Sequence, residues 1–91
     1  MRTDRIVAIR ERLQAAFTPE VLEIVDDSHK HAGHAGAKEG KGHFSVRITS
    51  NRFAGLNALE RHRMVYEALG DLMYTDIHAL QVTAKTPTSE D

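Results

Sequence analysis

Phe44, Val46 and Ile48 alternate with Ser45, Arg47 and Thr49, and a two-residue period is the signature of a strand with one buried face. It is the clearest such run in the chain. A strand of this kind needs neighbours in its sheet and a second layer to cover its apolar side. Two further runs supply the neighbours. Val21–Ser28 sets Leu22 and Ile24 on one face with Glu23 on the other, and Ile77–Lys85 sets His78, Leu80, Val82 and Ala84 on one side.

The covering layer is equally visible. Ile6, Ile9, Leu13 and Ala16/Phe17 recur at spacings of three and four with charged residues between them, which predicts an amphipathic helix of about four turns. Thr3 is placed as its N-cap and Thr18-Pro19 as its end, because proline disfavours helical geometry in the residue before it. Ser50–Asn57 reads as a turn around Phe53 and Gly55, with Asn57 able to cap a second helix. Leu59, His62, Val65, Tyr66, Leu69, Leu72 and Met73 then trace one helical face, with a possible break placed near its start. The order α-β-β-α-(α)-β gives an α+β sandwich of KH-like (class II) topology. Its three-stranded sheet carries the helices on one face, its first two strands form an antiparallel hairpin, and its other face is more solvated.

At 91 residues, with 41% hydrophobic and 27% charged side chains, the chain reads as a single globular domain over residues 1–91. Residues 29–42 form a flexible histidine- and glycine-rich loop, holding Gly33, Gly36, Gly40 and Gly42, and residues 86–91 a polar tail. Arg2, Asp4, Arg5, Arg10, Glu11 and Arg12 interrupt the start of the chain, so no secretory signal is expected and the expected location is cytoplasmic. No apolar run reaches the length of a membrane span. Residues 28–63 carry a net charge of +5 between flanks of −2 and −4. Such a basic middle suits an anionic partner or a solvated face.

There is no cysteine and there are six histidines. The first count excludes a disulfide framework, a cysteine nucleophile, a thiolate zinc site and an iron–sulfur site built by this chain alone. His29, His31 and His34 form H-x-H-x-x-H, a set able to ligate a borderline metal or simply to line a polar loop. His62, on the apolar helix face, and His43, opening the second strand, read as packing residues. His78 stands at the start of the third strand, as a core-edge residue or a ligand. No enzyme is indicated. Gly36–Gly42 lacks the first glycine and the Ser/Thr of a phosphate loop, and Ser28, His31 and Asp26 or Asp27 are too local to make a triad.

The ordered set Val25-Asp-Asp-Ser28 with His31, His43-Phe44, Ser50-x-x-Phe53-x-Gly55, Arg61-His62-Arg63-x-Val65-Tyr66, Ile77-His78-Ala79-Leu80 and Thr86-Pro87 resembles the BolA family over about residues 5–87. The resemblance implies an α-β-β-α-α-β fold and a non-enzymatic role as partner of a monothiol (CGFS) glutaredoxin. The pair would share a 2Fe–2S cluster, in iron–sulfur trafficking or iron regulation. It assigns one cluster ligand to His78 and the other to a loop histidine, His31 by spacing from Ser28, with His34 a close competitor and His29 less favoured. Glutaredoxin cysteine and glutathione would hold the other iron, so no cluster is expected in the isolated chain. Some bacterial members are described as DNA-binding transcriptional regulators linked to cell shape, stress and biofilm growth. For that second role Arg52, Arg61 and Arg63 are the residues offered to phosphates. The G-x-x-G of true KH domains is missing between the helices and occurs only as Gly33–Gly36. Homodimerisation of the free chain stays open.

Overall fold

The sheet is built around its middle strand. The computed structural model describes residues 3–27 and 42–87, as α1 (Thr3–Phe17), β1 (Val21–Asp26), β2 (Gly42–Thr49), a 3-10 turn (Asn51–Phe53), α2 (Ala58–Leu69), α3 (Leu72–Thr75) and β3 (Ile77–Lys85). The strands lie in the order β1-β2-β3. β1 and β2 pair antiparallel from Val21↔Thr49 to Asp26↔Phe44. β2 and β3 run parallel, because the chain returns through α2 and α3 before adding the third strand. The α+β order expected from the sequence is the one observed.

Phe44, Val46 and Ile48 are buried, as their alternation requires, and Arg47 between them is exposed. The helices cover that face. Ile9, Leu13 and Phe17 of α1 join Val65 and Leu69 of α2, Leu72 of α3 and Ile77 of β3 in one cluster. Phe53, fully buried in the 3-10 turn, sets its ring 4.9 Å from that of Phe17. Ser50 fixes this corner, donating from Oγ to Phe17 O at 2.7 Å and accepting from Arg52 N. Asn57 caps α2 as expected, in a reciprocal box with Glu60. On the opposite sheet face Glu23, Val25, Arg47, Gln81 and Thr83 are exposed.

Several boundaries differ from the sequence expectation. α1 already includes Thr3, so that residue is not its N-cap. Thr18 leaves the helix at φ 44°, in the left-handed region, while its N–H still donates to Gln14 O. β1 ends at Asp26, although Asp27 N–H still donates to its in-register partner His43 O at 2.7 Å, and Ser28, expected as the strand's last residue, lies outside the described residues. The break in the second helical segment lies at Gly70–Asp71 rather than near its start, with Gly70 at φ 53°. The buried stripe of α2 is therefore centred on Val65 and Leu69, and Leu59 and Tyr66 are exposed. The loop expected over 29–42, with His29, His31, His34 and Gly33–Gly36, and the tail beyond Pro87 lie outside the described residues, save for Gly42, which begins β2.

Candidate functional site

The start of β3 is pinned from both sides. Asp76 N–H donates to Leu72 O as α3 ends, and Asp76 O accepts from Gly42 N at 2.9 Å. Its carboxylate accepts from Thr75 Oγ1 and, through Oδ2, from Arg5 Nε of α1 at 3.1 Å. The Thr75 hydroxyl is the leading cause that holds the Asp76 carboxyl below its ordinary value; burial opposes it, and the Arg5 bond and charge add smaller lowering effects.

The next two residues break the strand's alternation. Gly42 pairs with Ile77, but His43 pairs with Ala79, so His78 is an extra residue opposite the bond between Gly42 and His43. Such a bulge re-aims side chains. Ile77 is buried, His78 is exposed, and the inward set resumes at Leu80, Val82 and Ala84. The sequence expectation that His78 shares the side of Leu80 and Val82 is thereby corrected. Simple alternation cannot foresee an inserted residue.

His43 sits beside His78. It is 8% exposed, and the two ring centroids lie 5.0 Å apart with planes tilted 54°. Asp27, His43, Ser45, Ala79 and Gln81 line a shallow cleft of ≈ 350 Å³ on the sheet face away from the helices. Within it Ser45 Oγ donates to Asp27 Oδ2 at 2.6 Å. The segment carrying His29, His31 and His34 leaves after Asp27 and rejoins at Gly42, at the sheet end where β3 begins.

The arginines offered to phosphates have unequal surroundings. Arg61 donates from Nε to Leu56 O and from Nη1 to Ala84 O, both at 2.9 Å, tying α2 to the end of β3. Arg52 and Arg63 are exposed. His62 is half-buried, its ring 6.5 Å from Tyr66. The site residues that sequence reasoning missed are His43, Arg5 and Asp76. His43 could have been found only by knowing that the second and third strands run parallel and adjacent.

A family model described as BolA-like protein matches residues 13–89. The chain belongs to the BolA family. The chloroplastic protein BOLA1 of Arabidopsis thaliana is 43% identical over 88 residues, covering 93% of this chain and 55% of that protein. The present chain thus spans about half the length of that relative. The DNA-binding transcriptional regulator BolA of Escherichia coli is 44% identical over 78 residues, covering 86% of this chain and 71% of that one. Among solved structures, BolA1 from Arabidopsis thaliana superposes with a TM-score of 0.80 at 39% identity, covering 96% of each chain. BolA relatives thus bear the names of a regulator and of BolA-type proteins. No helix among the described residues is long and apolar enough to cross a membrane.

Proposed function

We propose that the chain is a non-enzymatic, cytoplasmic adaptor that binds a monothiol glutaredoxin and shares a 2Fe–2S cluster with it, in iron–sulfur trafficking or iron regulation. The observation that carries this reading is His78, an exposed imidazole turned outward by a bulge at a pinned strand start. The donor set fits a cluster shared with a thiolate-bearing partner. With no cysteine, the chain offers histidine nitrogens but no thiolate, and thiolates would come from the partner and glutathione. His78 is one ligand; His31, with His34 as its competitor, is the other. Imidazole in place of thiolate lowers the negative charge at the cluster and raises its potential. Each ring must also be neutral to ligate, which makes the assembly acid-sensitive.

Anaerobic co-purification with a monothiol glutaredoxin tests the proposal. The complex is expected to contain iron and sulfide and to show visible absorption and circular dichroism that His78→Ala abolishes. An unchanged spectrum in that variant overturns the ligand assignment, and absence of a complex overturns the partnership. Fractionation of cells checks the location.

The name of the Escherichia coli relative favours a second reading, regulation through DNA. Arg52 and Arg63 would then meet phosphates, and affinity would fall steeply with salt. Binding that is indifferent to sequence, or flat with salt, rejects it.

A further inference from the structure

We propose that His43 and His78 form a two-imidazole site for a borderline divalent cation such as Zn2+, held by this chain without any partner. The geometry is that of two ligands on one ion. With metal–nitrogen bonds of about 2.0–2.1 Å, each ring centroid stands roughly 3.2 Å from the ion, and a tetrahedral angle puts two centroids about 5.2 Å apart. The observed separation is 5.0 Å, and the 54° tilt keeps the rings from stacking face to face.

The surroundings suit a cation. The cleft beside His43 is lined by Asp27, Ser45 and Gln81 among its polar residues and by no lysine or arginine. The pair is also pre-organised. His43 is held on the central strand, and His78 is fixed at the bulge between Ile77 and Ala79. Little rotamer freedom remains to be lost at the buried ring. Among the described residues no group of three or more histidine, aspartate and glutamate side chains converges. The pair therefore fills two positions, and water fills the rest. Borderline imidazole donors select Zn2+, Ni2+ or Cu2+ over Mg2+ and Ca2+. An ion seated here occupies His78 and so competes with any other metal that would use that ring.

The proposal does not rest on the glutaredoxin partnership, and its test contains neither glutaredoxin nor sulfide, so either reading can fail alone. The metal-free full chain is titrated with Co2+ as a spectroscopic probe and then with Zn2+ in competition. One ion per chain is expected, displaced by Zn2+ and indifferent to millimolar Mg2+. His43→Gln and His78→Gln should each weaken binding by roughly tenfold or more, since loss of even an outer-shell partner costs about that much. Replacing His29, His31 and His34 together by Gln should leave an ion bound. Because His43 is buried, wild-type chain supplies a second measurement: the ring signals of His43 and His78 should be the first histidine signals that substoichiometric Co2+ shifts or broadens. Undiminished binding in His43→Gln, binding abolished by the loop replacements alone, or early effects confined to other histidines overturns the site.

Discussion

Arg12 of α1 closes the end of α2, donating from Nη1 to Leu69 O at 2.8 Å while Nη2 meets Asp71 Oδ1 at 3.0 Å. Leu69 is the last residue of α2, where carbonyls lack helical partners, and Gly70 comes next at φ 53°. A cation at a helix C-terminus also opposes the negative end of its dipole. Arg12→Met keeps much of the stem packing but removes both bonds, and should cost about 1–2 kcal/mol. Asp71→Ala should cost less than about 0.5 kcal/mol, because that carboxylate is largely exposed. Urea unfolding of the two variants checks the order, and equal losses would contradict it.

Thr18 is a β-branched residue at φ 44°, where side chains other than Gly and Asn are strained. Thr18→Gly should therefore stabilise the chain, although glycine's greater unfolded-state freedom offsets part of the gain. The net is expected at about 0.5–1 kcal/mol. Thr18→Val should do the reverse or nothing. A thermal unfolding comparison decides it, and a lower Tm for the glycine variant would contradict the strain.

Asp76 gives stability an acid limb. Its carboxyl is lowered in the folded state from an ordinary value of 3.8, with the Thr75 hydroxyl as the leading cause. A depressed acid stabilises the fold above its unfolded value, and the contribution disappears as pH falls through the folded one. Thr75→Val should move the Asp76 titration upward and narrow that limb. Asp76→Asn should remove its contribution altogether. Carboxyl carbon shifts followed by NMR below pH 5 report both.

Arg61 and Arg63 should separate stability from nucleic-acid affinity. Arg61→Ala breaks two bonds between a charged donor and backbone carbonyls and should cost about 2–3 kcal/mol. Arg63→Ala, at an exposed position, should leave stability within about 0.5 kcal/mol. If DNA is bound through Arg63, that variant should also reduce the salt slope by about 0.9. Unfolding curves and salt-titrated DNA binding measure the two effects independently.

The sequence was most readable where a local rule acts alone. The alternation through Phe44, Val46 and Ile48 fixed β2, because burial of one face leaves the register no freedom. Asn57 marked the start of α2, and its reciprocal bonding with Glu60 was seen only in the structure. Leu59 and Tyr66 were misplaced for a different reason. Both fit a helical period, but the facing layer covers the stripe of Val65 and Leu69 flanked by Met64 and Ala68, and no single helix records where its neighbours stand. His78 escaped reading altogether as an outward side chain. Its direction depends on how β3 registers against Gly42 and His43, more than thirty residues earlier. The proximity of His43 to His78 depends on the same long-range pairing.

The bulge at His78 bears on association as well as on chemistry. β3 is an edge of the sheet, and an edge strand presents a ladder of open amide and carbonyl groups on which another chain can align. The extra residue at His78 throws that ladder out of step at its first rungs, and Arg61 Nη1 occupies the carbonyl of Ala84 near its last. What remains between them is a short regular stretch, too brief to template an intruding strand along its full length. The geometry that turns an imidazole toward solvent thus also guards an exposed border against aggregation.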